Sequence, residues 1–154
     1  MTFESLIRFK RMVLDLLPLF YLLTLSIFII AYNRLPAPSG ELKYPRIVDI
    51  ANFVCLFAAF FITLMIPRYD RWVLAPLVES SRELRELLLH WLVEPLLAVQ
   101  VCVLGLIPSL AARSWTFMIP YVMISYATLI VSSLRLRKHF EVIDRRLKRA
   151  GVRL

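Results

Sequence analysis

The chain has few of the residues that build disulfide frameworks, metal clusters or tight turns. Its 154 residues include only three glycines, two cysteines and two histidines. Both cysteines, Cys55 and Cys102, lie in apolar stretches, so neither a disulfide framework nor a thiolate metal cluster is expected. Both are predicted to be small buried apolar residues.

Known catalytic sequence patterns are also missing. The sequence has no G-x-S-x-G nucleophile motif, no glycine-rich phosphate loop and no H-E-x-x-H zinc motif. No catalytic residue and no cofactor is therefore predicted.

Apolar residues dominate what is present. They make up 60% of the chain, against roughly 45–50% in ordinary globular proteins, and the mean hydropathy is +0.71. The excess is concentrated in four runs, each long enough for a membrane-spanning helix. The sequence therefore predicts an all-α polytopic membrane protein with one four-helix transmembrane domain and spans at about 12–32, 48–66, 91–112 and 115–134.

The first span is expected to be retained as a signal anchor. It stays apolar for about 31 Å at 1.5 Å per residue, and no small-residue cleavage site follows it. The second span is expected to end at Pro67, which breaks helices, followed by the interfacial cation Arg68.

Lysine and arginine are distributed unequally between the two sides of the predicted membrane domain. Residues 1–11 hold three, residues 67–90 hold four and residues 135–154 hold eight, a total of fifteen, whereas the opposite side holds four. The positive-inside rule then places both termini in the cytoplasm, in a bacterial inner membrane. Next to membrane spans, the net charge of +8 favours anionic headgroups over nucleic acid as the partner.

The segments outside the spans are short. Residues 33–47 form an outside loop rich in proline, and only Arg113 and Ser114 separate the last two spans, which predicts a tight antiparallel hairpin. In the cytoplasmic connector, residues 67–90, the segment 80–83 (SSRE) is a capping-box pattern that predicts a helix start near Ser81.

The C-terminal tail, residues 135–154, is predicted to be an amphipathic continuation of the last span. Leu136, Phe140, Ile143 and Leu147 fall on one helical stripe. The tail can be a positive-inside anchor or a docking helix for a partner or for anionic lipid, and its removal after Lys138 is expected to leave a folded core. Its candidate docking cations are Arg135, Arg137, Lys138, Arg145, Arg146, Lys148 and Arg149.

Polar residues within the spans give the candidate transport or proton-relay positions. Glu86, His90 and Glu94 lie at i, i+4 and i+8 and share one helix face, but they extend over about 12 Å, too far for one metal ion. No metal site is predicted. Asp15 and Asp49 are also candidates, but they are expected to pair with Arg11 and Arg46 near the headgroups, and the remaining candidate is Gln100. His139, in the basic tail, is expected to be solvated or interfacial.

Three functions are compatible with these features. The favoured one is a non-enzymatic accessory or scaffold subunit of a larger membrane complex, which docks through its connector and basic tail and contacts anionic headgroups. A homo-oligomeric pore or small transporter is the alternative, supported by the polar residues in the spans. A membrane enzyme acting on lipid would depend on the Glu86–His90–Glu94 stripe alone.

Overall fold

The computed structural model describes residues 3–36, 45–74, 76 and 84–149, and all regular secondary structure in these ranges is helical. The α-helices are α1 (Phe3–Arg34), α2 (Pro45–Tyr69), α3 (Leu84–Leu104), α4 (Leu106–Ala112) and α5 (Ile119–Arg149). A π-helical turn, Asp70–Leu74, extends α2, and a 3₁₀ turn, Trp115–Met118, precedes α5. The predicted all-α class is confirmed for these residues.

Four helical segments are long and apolar enough to cross a membrane: Arg11–Arg34, Pro45–Leu74, His90–Ala112 and Trp115–Ile143. The shortest has 23 residues, about 35 Å at the helical rise. Their outer surfaces carry large apolar side chains, such as Phe53, which is 72% exposed. Soluble monomers rarely expose such continuous apolar surface, so these features indicate an integral membrane protein with four spans.

Pro67 does not end the second helix, contrary to the prediction. The α-helix continues to Tyr69, and the π-helical turn carries the chain on to Leu74. Proline removes the N–H that would bond the Thr63 carbonyl, and the wider turn begins three residues later. The same tolerance holds for Pro18 in α1 and Pro95 in α3, since packed membrane helices accommodate proline.

The predicted turn at Arg113 and Ser114 is present. Arg113 adopts the left-handed conformation (φ 51°), and the N–H of Ser114 donates to the carbonyl oxygen of Ser109 at 2.9 Å. The Ser114 hydroxyl then accepts from the N–H of Thr116 and caps the 3₁₀ turn. These bonds satisfy some of the free backbone groups at the end of α4 and at the start of the 3₁₀ turn, and α5 packs along α3.

The third span lies at the centre of the bundle. In its most apolar window 44% of the residues are buried, compared with 11% for the first span, and α3 contacts α1, α2 and α5. One buried apolar cluster lies at the end of the bundle where α2 ends and α3 begins, and its members are Val13, Leu74, Trp91, Leu136, Phe140 and Ile143. Because the buried Glu94 and its polar neighbours also lie at this end, it is called the polar end of the bundle hereafter. Two further clusters fill the middle and the opposite end, formed by Cys55, Ala59, Val101 and Tyr121, and by Ala31, Cys102 and Met118.

Both cysteines are buried and unbridged, as the sequence predicts. The predicted capping box at residues 80–83 and most of the loop at residues 33–47 lie outside the described residues. The tail is helical through Arg149, and residues 150–154 lie outside the description.

Candidate functional site

Two hydrogen bonds connect the end of α2 to its neighbours at the polar end of the bundle. The Tyr69 hydroxyl lies 2.6 Å from Nδ1 of His90 in α3, and Oδ1 of Asp70 lies 2.6 Å from Nε2 of His139 in α5. The side chains of His139 and Asp70 are only 13% and 21% exposed. His139 was expected to be solvated or interfacial; its side chain is partly buried and hydrogen-bonded to Asp70, so it is not freely solvated.

Glu94 lies deeper in the bundle than these pairs. It is 4% exposed, and its Oε1 accepts no hydrogen bond from the described residues. Two groups of α5 lie near it: the hydroxyl of Ser132, which is 6% exposed and lies beside the carboxyl group, and the Nη1 atom of Arg135, which is buried and has no hydrogen-bond partner among the described residues. Arg135 and Asp70 lie close enough to interact electrostatically with the carboxyl group of Glu94. Within the described part of the chain, however, no ion pair within 4.0 Å joins Glu94 to Arg135.

These polar atoms border a pocket whose other walls are apolar. One wall is the inner face of α1, and the rest comes from α3, α5 and the π-helical turn. The pocket is lined by Val13, Leu16, Leu17, Phe20, Leu74, Trp91, Leu92, Glu94, Pro95, Ser132, Arg135, Leu136 and His139. A mainly apolar pocket with a few convergent polar groups is typical of small-molecule sites, although the enclosed part of this one is small, about 20 Å³.

The carboxylate–imidazole stripe predicted on α3 is only partly placed. Glu94 faces the pocket, His90 bonds Tyr69, and the side chain of Glu86 lies outside the described residues. Over residues 3–36, 45–74, 76 and 84–149, no three His, Cys, Asp or Glu side chains come together as a metal site would require.

The other transport candidates do not gather around Glu94. Asp15, Asp49 and Gln100 are all exposed on the outside of the bundle. Among the described residues, the expected ion pairs of Asp15 with Arg11 and of Asp49 with Arg46 are not within 4.0 Å, and all four side chains are exposed.

A row of buried hydroxyls on α5 leads away from Glu94 toward the middle of the bundle. Ser132, Thr128 and Ser125 follow one another on the same face, and Ser125 lies 3.4 Å from the hydroxyl of Thr24 in α1. Thr128 and Thr24 also donate to carbonyl oxygens one turn earlier in their own helices. Beyond Thr24, the interior continues with the apolar cluster of Ala31, Cys102 and Met118.

Gln100 occupies an unusual position for an amide. It lies near the middle of the third span, and the neighbouring residues on its helix face, Leu96 and Val103, are 50% and 44% exposed. Within one copy of the chain, the described structure places no polar partner on this amide. Its surroundings are an apolar outer surface.

The predicted docking cations fall into three groups. Arg137, Lys138 and Arg145 are exposed, whereas Arg135 turns into the pocket. The side chains of Arg146, Lys148 and Arg149 are outside the described set. The apolar stripe of the same segment is buried within the chain, with Phe140 stacked edge-on against Trp91 at a centroid distance of 5.0 Å.

Sequence reasoning missed Ser132, Tyr69 and Asp70. One signal was available: Ser132, Arg135 and His139 stand at i, i+3 and i+7, so they share a helix face that differs from that of Arg137 and Lys138. The approach of this face to Glu94 depends on how α5 packs on α3, which spacing along one helix does not reveal.

A scan against protein-family models, a search of curated proteins and a search of solved structures each found no match to this chain.

Proposed function

We propose that the chain is a non-enzymatic subunit of a larger membrane assembly, held by four spans in a bacterial inner membrane with both termini in the cytoplasm. The observation that carries this proposal is the exposed amide of Gln100 near the middle of the third span. The fifteen-to-four distribution of lysine and arginine supports the orientation.

An amide facing hydrocarbon has no water to satisfy its donors and acceptor. Gln100 stands ten residues after His90, about 15 Å along the helix, so its amide cannot easily reach a headgroup region. A hydrogen bond to a neighbouring transmembrane helix contributes roughly 0.6–2 kcal/mol. With Leu96 and Val103 beside it, Gln100 defines a helix face, hereafter the Gln100 face, that suits another spanning helix with a polar side chain at the same depth.

The cytoplasmic surface offers a second contact of a different kind. Arg137, Lys138 and Arg145 are exposed on the last helix, while the apolar stripe of that segment is already packed inside the chain. Docking by the tail therefore depends on charge, either to an acidic partner surface or to anionic headgroups. Such contacts weaken as the salt concentration rises.

The proposal is tested by isolating tagged full-length chain from its native membrane in mild detergent and measuring its mass by native mass spectrometry. We expect one foreign membrane protein in fixed stoichiometry, lost from Gln100→Leu and retained in Gln100→Asn, which keeps the amide. Ser26→Leu is the matched control, since Ser26 is also an exposed polar residue in a span. A partner that stays bound to Gln100→Leu would contradict the assigned face, and an assembly of identical copies would reject the accessory role.

A homo-oligomeric transporter is the second candidate, and the row of hydroxyls from Glu94 to Thr24 favours it. Its test is ion or proton flux into proteoliposomes at matched protein density, with Glu94→Gln compared with Asp49→Asn as an exposed control. Transport through this row predicts that only Glu94→Gln abolishes flux. Wild-type flux equal to that of empty vesicles removes this candidate.

A further inference from the structure

Two charged side chains in one pocket each carry a buried atom that lacks a hydrogen-bond partner among the described residues. They are Oε1 of Glu94 and Nη1 of Arg135, and the buried hydroxyl of Ser132 lies beside the Glu94 carboxyl group. An unpaired buried polar group is costly, and an unpaired buried charge more so. Ordered water or a bound polar group would satisfy both atoms, and a bound group that carries both a donor and an acceptor satisfies them at once.

The charges around the pocket restrict the chemistry of that group. A carboxyl group, Glu94, and a guanidinium group, Arg135, both face the pocket, and in the described part of the chain no ion pair within 4.0 Å joins them. Asp70 adds negative charge on the Glu94 side, and its oxygen is already engaged by His139. The occupant must therefore present a cationic donor to Glu94 and an anionic acceptor to Arg135.

We propose that this pocket binds the headgroup of a zwitterionic aminophospholipid. The phosphate accepts hydrogen bonds from Arg135, the primary ammonium donates to Glu94 and Ser132, and an acyl chain lies along the apolar wall of α1 at Val13, Leu17 and Phe20. Arginine pairs well with phosphate oxygens. Both ends of the headgroup then replace their hydration with charged protein partners.

Other common lipid headgroups can pair with only one of the two charged side chains, Glu94 and Arg135. A choline headgroup carries no N–H and cannot donate to Glu94 or Ser132. A glycerol headgroup supplies donors, but it brings a net negative charge beside Glu94 and Asp70. A primary ammonium next to a phosphate meets both conditions, and this assignment does not depend on the proposed role as a subunit.

The depth of the pocket suits a lipid. Val13 lies two residues after the start of the first apolar segment, and Arg135 lies eight residues before the end of the fourth, about 12 Å along the helix. An arginine this close to the end of a span can reach the depth at which headgroups meet acyl chains. With both termini in the cytoplasm, the lipid would come from the cytoplasmic leaflet.

The test uses the full-length chain, stripped of lipid in detergent and titrated with short-chain phosphoethanolamine, phosphocholine or phosphoglycerol lipids, with bound lipid counted by native mass spectrometry. We expect the phosphoethanolamine lipid to bind about tenfold more tightly than the other two, the difference made by a charge-assisted hydrogen bond. Glu94→Gln should lose that preference and keep weak phosphate-dependent binding, whereas Arg135→Met should lose binding of all three.

Arg137→Met is the matched control for charge, because Arg137 is two residues from Arg135 but exposed. It should leave binding unchanged. Ser132→Ala provides a second, conservative probe of the ammonium end, and circular dichroism confirms that each variant is folded. Equal binding of the three lipids, preference for the phosphoglycerol lipid, or unchanged selectivity in both Glu94→Gln and Ser132→Ala would overturn the assignment.

Discussion

Gly105 packs against the ring of Tyr121. Two opposing effects therefore decide whether Gly105→Ala raises or lowers the free energy of unfolding. Gly105 separates α3 from α4 and has a helical backbone (φ −64°, ψ −19°), which alanine adopts readily. In a helical position, replacing glycine by alanine stabilises by about 1 kcal/mol. If conformational preference alone decided the outcome, Gly105→Ala would therefore stabilise the protein.

Packing opposes this gain. A Cβ atom at position 105 would lie 2.8–2.9 Å from Cβ, Cγ and Cδ2 of Tyr121, whereas carbon atoms in contact prefer about 3.5–4.0 Å. These three atoms are the base of a fully buried side chain. The Tyr121 hydroxyl is also held 3.0 Å from the carbonyl oxygen and 2.9 Å from Oδ1 of Asn52, so the ring cannot swing away freely.

Overpacking of this kind costs about 1–3 kcal/mol. Because all three contacts are short and the ring is held at both ends, we expect the upper half of that range and a net destabilisation by Gly105→Ala of about 1–2 kcal/mol. The assay is reversible unfolding in mixed micelles of mild detergent and sodium dodecyl sulfate, followed by tryptophan fluorescence. Ala127→Gly, at an exposed position of α5, measures the helix preference alone and should cost about 1 kcal/mol.

A double-mutant cycle separates the two effects. In a Tyr121→Ala background most of the ring contacts are gone, so Gly105→Ala should be neutral or stabilising, with a coupling energy of about 1–3 kcal/mol. The reasoning is refuted if Gly105→Ala stabilises the wild-type protein as much as Ala127→Gly destabilises it, since the ring would then offer no resistance.

Three further predictions address the polar end and the orientation. Phe140→Ala should destabilise by about 3 kcal/mol or more in the same unfolding assay, because it leaves a cavity beside a buried tryptophan. Truncation after Lys138, which the sequence predicted to leave a folded core, should instead prevent recovery of folded protein, because it removes Phe140 and Ile143 from a buried cluster. Tyr69→Phe should cost about 1 kcal/mol through loss of its bond to a histidine; no change would show that bond to be replaced by water. Impermeant thiol reagents should label Ser39→Cys but not Ala150→Cys in intact cells, and the reverse pattern would reject the orientation.

The helical fold was predictable because it depends on composition over long windows. A run of about twenty apolar residues can satisfy its backbone in lipid only as a helix, so the number of spans follows from counting. The end of the second helix was predicted wrongly because Pro67 acts locally, whereas the packing of Tyr69 and Leu74 against α3 and α5 carries the helix further. Propensity yields to tertiary contacts at such positions.

The pocket could not be predicted in the same way. Glu94 was identified as an ionisable residue inside a span. Its polar neighbours lie on α5, and the first of them, Ser132, is 38 residues later in the chain. Which face of α5 meets α3 is set by side-chain packing of the whole bundle. The spacing of Glu86, His90 and Glu94 along one helix directed attention to a single-helix stripe, whereas the structure builds its polar end from α2, α3 and α5 together.

The apolar stripe of the tail was predicted correctly from its spacing, but the spacing did not show what the stripe packs against. Periodicity identified Leu136, Phe140 and Ile143 as one stripe, and the structure buries all three against α1, α3 and the π-helical turn. A buried stripe holds the last helix in a fixed rotation, so Arg135 points into the pocket while Arg137 and Lys138 point outward. Packing thus divides neighbouring cations of one basic segment between an internal ligand site and an external charged surface. Arg135→Met should consequently alter lipid selectivity, and Arg137→Met should alter salt-dependent association, even though the two residues are separated by a single leucine.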